Sequence, residues 1–80
     1  MDYNIKYSRI AEKYLDSQSE NVRKRIMDAV DDLPEGNIKK LKGREGYRLT
    51  IGSFRVLFDY IDNSTIDIIA IGPRGDIYKK

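Results

Sequence analysis

Three strand-like stretches in the second half of the chain, joined by very short connections, constrain the fold more than any other feature. They read YRLTI, FRVLFDYI and TIDIIAIG, and only GS and DNS separate them. The first two alternate apolar and polar residues, which is typical of a β-strand with one buried face. Connections this short join only antiparallel neighbours, because a parallel crossover needs about a dozen residues. The sequence therefore predicts a three-stranded β-meander near its C-terminus.

The first half of the chain predicts one more strand and two helices. YNIKY alternates in the same way, and Ser8 after it is a typical N-cap residue for a helix. The second helix can begin at Ser17, which has capping-box spacing, or at Ser19, and it is expected to end at Pro34. Each helix has one apolar stripe at helical spacing. The stripes are Ile10, Ala11, Tyr14 and Leu15 in the first helix, and Val22, Ile26, Ala29, Val30 and Leu33 in the second.

The order of elements, β-α-α-β-β-β, indicates an α+β fold in a single domain over residues 1–80. An antiparallel helical hairpin would cover one face of an antiparallel sheet, and the other face would stay open. Between the second helix and the meander, NIKKLKGREG is interpreted as a basic connection with two glycines. A short extra strand at residues 76–78 is an alternative ending of the same fold.

The absence of cysteine and histidine removes several kinds of chemistry from this chain. Disulfides and thiolate metal sites cannot form, and the commonest general base and metal ligand is missing. The carboxylates show no metal-ligand spacing, so we expect neither a metal nor another cofactor. The longest apolar stretch, IDIIAI, is far shorter than the roughly 20 residues of a membrane span, and the N-terminus has no signal-peptide pattern. We therefore expect a soluble, cytoplasmic protein.

Positive charge is concentrated in one part of the chain, although the formal net charge is only +2. Residues 38–55 contain six basic residues and one acidic residue, whereas residues 56–73 contain three acidic residues and no basic one. If the fold brings the basic segment and the basic C-terminus together, they form an anion-binding face that the net charge conceals.

Strand alternation places two arginines on the open face of the predicted sheet. Arg48 and Arg55 lie on adjacent strands of a tight hairpin, on the side opposite to their apolar neighbours. Arg74 follows the last strand, and Tyr78 can fold back beside it. One hypothesis is a phosphate-binding site built from these four residues, because guanidinium groups match phosphate geometry. The alternative is that the strand arginines only solvate the sheet and pair with nearby carboxylates. The carboxylates concerned are Asp59 and Asp67.

The last forty residues carry an ordered set of short motifs. LKGREGYRLTIGSFRVLFDYIDNSTIDIIAIGPRGDIYKK contains a basic-glycine element, Tyr-Arg-Leu, Gly-x-x-Arg-Val, an acidic turn, an apolar strand, Gly-x-Arg and a C-terminal tyrosine. In this order and spacing the motifs resemble the RelE/ParE superfamily of toxins from prokaryotic type II toxin–antitoxin systems. The first strand and the helical hairpin match as well, so the resemblance covers essentially the whole chain. The chain is more similar to the RelE-like mRNA interferases.

The resemblance implies a toxin that acts as a ribosome-dependent endoribonuclease. Relatives similar to RelE cleave mRNA in the ribosomal A site, where the ribose 2′-OH attacks the adjacent phosphate, and thereby inhibit translation. By this resemblance Arg55 would hold the scissile phosphate, Arg74 would stabilise the transition state or the leaving group, and Tyr78 would stack on or activate the substrate nucleotide. Arg48 stands where relatives have a basic residue, and Thr50 stands where some relatives have a second one.

The same resemblance implies partners and leaves two alternatives open. The basic segment would contact the mRNA and the ribosome, and a cognate antitoxin would cover the active face with acidic residues. The first alternative is a ParE-like toxin that inhibits DNA gyrase. The second is a catalytically degenerate module that only binds antitoxin, which Thr50 and the short tail support. The residues expected to bind RNA are Lys39, Lys40, Lys42 and Arg44.

Overall fold

The computed structural model describes residues 3–73 and shows two helices and five strands in that range. Arg74, Tyr78 and the short strand considered at residues 76–78 lie outside the described residues. The helices and the sheet form the two layers of an α+β fold, as predicted. In chain order the elements are β1 (Asn4–Tyr7), α1 (Arg9–Asp16), α2 (Glu20–Asp31), β2 (Asn37–Lys40), β3 (Tyr47–Ile51), β4 (Phe54–Asp62) and β5 (Thr65–Pro73).

The five strands form one sheet in the order β1-β5-β4-β3-β2. β3, β4 and β5 are the antiparallel meander that the short turns predict, and β2 extends it by a further antiparallel pair. β1 pairs with β5 in parallel, with Asn4 opposite Thr65 and Tyr7 opposite Ile68. The sheet is therefore mixed rather than purely antiparallel. Two helices separate β1 from the other strands, so no short turn dictates its direction.

The basic stretch between α2 and β3 contains a strand, where the sequence indicates only a connection. In β2, Ile38 packs against the core and pairs with Leu49, while the other three residues are exposed. With a single apolar residue, the stretch shows no alternation of apolar and polar residues. The sequence therefore does not predict this strand. β2 lies at the edge of the sheet, and its shortness and its lysines are typical of edges that avoid pairing with other chains.

Hydrogen bonds at the helix starts join the helical layer to the sheet. The Ser8 hydroxyl accepts a hydrogen bond from the Ala11 N–H at 3.0 Å and donates one to the Ile69 carbonyl at 2.7 Å. Its predicted role as N-cap of α1 is confirmed, and the same side chain links α1 to β5. α2 begins after Ser19, whose hydroxyl accepts the capping hydrogen bond, because Ser17 is already the C-cap of α1.

The core lies between the helical hairpin and one face of the sheet. Both predicted helix stripes contribute to it, since Leu15, Ile26 and Val30 are buried. The prediction that Ile10 belongs to the stripe is wrong, because its side chain is 67% exposed. Neighbouring helix positions differ by about 100° around the axis, and Ala11 occupies the side that faces the sheet. The largest fully buried side chains are Phe58, Ile26, Leu49, Ile66, Ile68, Val30 and Val56.

We expect Gly36→Ala to destabilise the junction between α2 and β2. Gly36 has a φ of +125°, a backbone angle that residues with a side chain rarely adopt. An added Cβ would lie 2.9 Å from Cδ1 of the buried Leu49. The backbone strain and the forced shift of Leu49 should lower the free energy of unfolding by about 1–3 kcal/mol. Urea denaturation followed by circular dichroism would measure this change.

Gly43→Ala is the matched control for this substitution. Gly43 also has a positive φ, of +72°, but apart from its chain neighbours no atom of the described residues lies within 4 Å of an added Cβ. Its substitution should therefore cost only the backbone strain, about 1 kcal/mol. Equal losses of stability in the two variants would contradict the importance of the contact with Leu49.

Candidate nucleic-acid interface

The register of the sheet decides which predicted site residues share its open face. The residues that alternate with Arg48 and Arg55 along β3 and β4 pack in the core, so both arginines project from the other side. Arg48 pairs with Leu57, and Thr50 pairs with Arg55. The two arginines are therefore diagonal neighbours on the face that the helices leave uncovered.

β2 adds a third cation to this face. Lys39 pairs directly with Arg48, and the strand register places both side chains on the open side. Lys40 projects from the opposite side, where its Nζ lies 5.2 Å from the centroid of the Tyr47 ring and forms a cation–π contact. The sequence does not reveal the pairing of Lys39, because Ile38 is the only residue in this stretch that indicates a strand.

A cleft of about 410 Å³ opens where β2 continues into the loop that leads to β3. Among residues 3–73, its lining contains five basic residues, one leucine and no carboxylate. The Leu41 N–H donates a hydrogen bond of 3.1 Å to the Gly46 carbonyl and closes the loop. Cations around an opening without counter-charge attract anions. The four residues predicted to bind RNA therefore lie together here with Arg48. The lining residues are Lys39, Lys40, Leu41, Lys42, Arg44 and Arg48.

The open face has an apolar floor between its two arginines. Leu57 projects from this face, yet it is only 4% exposed. Its partner on β5 is Ala70, and the partner of Arg55 on β5 is the buried Gly72. Ala70 and Gly72 therefore add no long side chain to the face beside the arginines. A ligand that reaches this area meets guanidinium groups around a surface from which water is partly excluded.

Arg48 has no counter-ion among residues 3–73. Its Nε is buried there without a hydrogen-bond partner, and it forms no salt bridge in that range. The carboxylates considered as partners, Asp59 and Asp67, pair with each other in a separate row of the sheet. Asp59 accepts a hydrogen bond of 2.8 Å from the Tyr60 N–H instead. A buried nitrogen without a partner costs free energy, and a bound anion would remove that cost.

Two of the predicted catalytic residues, Arg74 and Tyr78, lie outside the described part of the chain. The description ends at Pro73, which pairs with Phe54, and Gly72 before it pairs with Arg55. The last described residues of β5 are therefore at the end of the sheet that carries Arg55. The roles of Arg74 and Tyr78 stay predictions.

Two tyrosines next to the core have raised pKa values and offer no general base. Burial raises the pKa of Tyr7 to about 12, and the carboxylate of Asp31 contributes to the rise. The pKa of Tyr60 is also raised, first by burial and then by the neighbouring phenols of Tyr3 and Tyr47. Both phenols stay protonated near neutral pH. The open face therefore offers cations that stabilise negative charge.

The described part of the chain shows neither a metal site nor a membrane-spanning helix. No group of His, Cys, Asp or Glu side chains within residues 3–73 is arranged so that it could hold a metal ion. Neither of the two helices in that range is long and apolar enough to cross a bilayer.

Comparison with known proteins assigns the chain to a family. Residues 5–78 match the family model of the ParE toxin of the type II toxin–antitoxin system parDE. The chain belongs to this toxin family. No curated protein matches the toxin, but several solved structures share its fold. Together, the family and the structures place the toxin in the RelE/ParE superfamily.

Several of the similar structures are toxin–antitoxin complexes. The archaeal RelE–RelB complex from Pyrococcus horikoshii aligns with a TM-score of 0.74 and 26% identity, over 94% of this chain and 98% of that chain. The RelBE2 complex from Mycobacterium tuberculosis aligns with a TM-score of 0.78 and 17% identity, over 92% and 100%. The intact RelBE complex from E. coli aligns with a TM-score of 0.71 and 20% identity, over 89% and 95%.

We expect Arg48→Met to stabilise the toxin at low ionic strength. The substitution removes a charge that lies opposite Lys39 and diagonal to Arg55, and it keeps an unbranched stem beside Leu57. The relief of like-charge repulsion should raise the free energy of unfolding by about 0.5–1 kcal/mol, and salt should reduce the gain. Thermal denaturation at low and high salt would measure it. Lys24→Met, which breaks an exposed ion pair on α2, should give no gain. A loss of stability in Arg48→Met would show a structural role for this arginine.

Proposed function

We propose that the toxin is a ribosome-dependent endoribonuclease that cleaves mRNA in the ribosomal A site and thereby inhibits translation. The observation that carries this proposal is the set of cations on the open face, where Lys39, Arg48 and Arg55 lie on three neighbouring strands beside a cleft without carboxylates. Surfaces of this kind bind the phosphodiester backbone of nucleic acids. The RelE toxins among the structures with the same fold support this function.

The proposed reaction is attack by a ribose 2′-OH on the adjacent phosphate. The 2′-OH loses its proton as its oxygen bonds to phosphorus, the P–O5′ bond breaks, and the 5′-oxygen takes up a proton. The products are a 2′,3′-cyclic phosphate and a 5′-OH. Arg48 and Arg55 would stabilise the extra negative charge on the phosphate oxygens in the transition state. Arg74 would stabilise the transition state or the leaving group, and Tyr78 would stack on or activate the substrate nucleotide.

Dependence on the ribosome follows from the chemistry that this chain lacks. It has no histidine, and an arginine is too basic to accept the proton of the 2′-OH. Catalysis would rest on electrostatic stabilisation and on alignment of the 2′-OH with the phosphate, and such alignment can be worth about 7–11 kcal/mol. The ribosome would supply it by ordering the mRNA. The residues proposed to contact RNA are Lys39, Lys40, Lys42 and Arg44.

On programmed ribosomes we expect the wild-type toxin to cleave mRNA in the A site. Arg48→Ala and Arg55→Ala should each lower the cleavage rate by roughly 100-fold, because each removes a charge that stabilises the transition state. Arg74→Ala combined with Tyr78→Ala should have at least the same effect. Primer extension would measure the position and the rate of cleavage. Lys13→Ala, on the exposed side of α1, is the control variant and should cleave like the wild type.

Free mRNA is the control substrate in the same assay, and we expect it to be cleaved poorly. Cleavage of free mRNA at the ribosomal rate would contradict the dependence on the ribosome. Full activity of Arg55→Ala would contradict the site.

Inhibition of DNA gyrase is the second candidate function, because the matching family model is that of the ParE toxin. A supercoiling assay with purified gyrase separates the two functions. Blocked supercoiling together with normal protein synthesis would favour gyrase as the target. A toxin that is inactive in both assays would be a degenerate module that only binds its antitoxin, in line with Thr50 on β3.

We also propose a cognate antitoxin as the partner of this toxin, in the cytoplasm where ribosomes are found. The similar structures from three organisms are complexes of a toxin with its antitoxin. A segment rich in Asp and Glu would complement the basic open face and would compete with RNA for it.

We expect the product of a small neighbouring gene to be acidic and to bind the toxin. Reversal of charge at the cleft, in the double variant Lys42→Glu with Arg44→Glu, should weaken this binding by about 10-fold or more, because the attraction becomes repulsion. Isothermal titration calorimetry at two salt concentrations would measure the affinity. Lys13→Glu is the control, since it reverses a charge away from the cleft. A neighbouring gene product that does not bind would contradict the antitoxin as partner.

A further inference from the structure

Lys39 occupies a position on the open face that its sequence context does not reveal. β3 offers this face one cation, Arg48, and the next position on the same side is Thr50. The edge strand β2 pairs with β3 in a register that places Lys39 directly opposite Arg48. Side chains in directly opposite positions of neighbouring strands have Cβ atoms about 5 Å apart. The ammonium and the guanidinium can therefore reach the same ligand.

The charges around Lys39 have no neutralising partner in the described part of the chain. Like charges in opposite positions destabilise a strand pair, and within residues 3–73 neither Lys39 nor Arg48 forms a salt bridge. The cleft that both residues line contains no carboxylate. The buried Nε of Arg48 has no hydrogen-bond partner in the same range. An arrangement that costs stability in the free protein is explained when an anion completes it.

Another row on the same face shows the opposite pattern. There, Asp59 pairs with Asp67, and Asp67 pairs with Lys6. Lysine is therefore accompanied by carboxylates in that row, whereas Lys39 is accompanied by a second cation. Among the described residues, Lys39 and Arg48 therefore lack the carboxylates that accompany Lys6.

The row that contains Thr50 places short polar side chains beside the cations. Thr50 has Asn37 on one side and Arg55 on the other, and Arg55 is followed by Gly72 on β5. On this face, the row of Thr50 is next to the row of Lys39 and Arg48. Neighbouring strands within each row lie about 4.8 Å apart. Long cationic side chains on both sides of Thr50 can therefore converge above it.

We propose that Lys39 binds a backbone phosphate of the substrate together with Arg48 and Arg55, and that it supplies from the edge strand the second cation that Thr50 does not supply from β3. The identity of the ligand as mRNA rests on the proposed function. The binding of a phosphate anion does not, because it needs neither the ribosome nor cleavage. A lysine acts here as a compact charge with three hydrogen-bond donors, beside the planar guanidinium groups.

Binding of inorganic phosphate to the purified toxin tests the site without the ribosome. We expect Lys39→Gln to weaken phosphate binding by about 10-fold, as measured by NMR titration of the backbone amides of β2 and β3. Lys6→Gln, on the same face beside carboxylates, and Lys13→Gln, on α1, should bind within twofold of the wild type. The thermal midpoint of Lys39→Gln should equal or exceed that of the wild type, because a like-charge contact is removed.

Cleavage on programmed ribosomes tests whether the same lysine serves the substrate. Lys39→Gln should lower the cleavage rate by roughly 10- to 100-fold, and Lys39→Gln with Thr50→Lys should recover most of this loss. The recovery is expected because a lysine at position 50 would project from the same face beside Arg55. If the role of Lys39 were merely structural, a lysine on a different strand would not restore the cleavage rate.

The outcomes separate the two proposals. Wild-type toxin that does not bind phosphate, or Lys39→Gln that binds it as tightly as the wild type, would overturn the assignment of Lys39. An equal loss in Lys6→Gln would overturn it as well, because the effect would then be one of total charge. Phosphate binding that depends on Lys39, in a toxin that cleaves no mRNA, would support the site and contradict the endoribonuclease.

Discussion

The open face of the sheet in this toxin depends on the hydrophobic packing of the opposite face. Phe58, Ile66 and Ile68 are completely buried there, together with Ile26 and Val30 of α2. Because side chains alternate along a strand, burial of one side decides what the other side presents. A slip of one residue in β3 would exchange Arg48 with Leu49, so it would bury a charge and expose part of the core. The placement of the arginines therefore depends on residues of the opposite, buried face.

The distribution of charge between the two sides follows from the same separation into layers. The helical hairpin, residues 9–31, carries five acidic and five basic residues, whereas the described lining of the cleft beside β2 contains basic residues and a leucine but no carboxylate. The net charge of +2 averages these surfaces and conceals the difference. A molecule with this polarity turns its basic side toward polyanions. Repulsion among the cations of this side lowers the stability of the free protein, and a bound anion would offset that cost.

Sequence reasoning succeeded where local rules leave few choices. The meander follows from turns of two and three residues, and the cap at Ser8 follows from its position before a helical stripe. The common face of Arg48 and Arg55 follows from alternation. The prediction failed at Ile10, because the helix turns by about 100° per residue and Ala11 occupies the side that faces the sheet. It also failed at β2, where Ile38 is a single apolar residue among polar ones and its partner strand supplies the evidence.

The sequence by itself determined the elements, the absence of histidine chemistry and the side of each strand on which a charge lies. Only the tertiary structure decided which charges meet. Lys39 and Arg48 are separated by a loop with two glycines, and β1 and β5 by most of the chain. Both pairs depend on hydrogen bonds between strands, and the pairing of β2 with β3 also depends on the packing of Ile38 opposite Leu49. No local sequence pattern encodes these contacts. The basic cleft is a product of this register, because neighbouring strands bring together residues that the chain keeps apart.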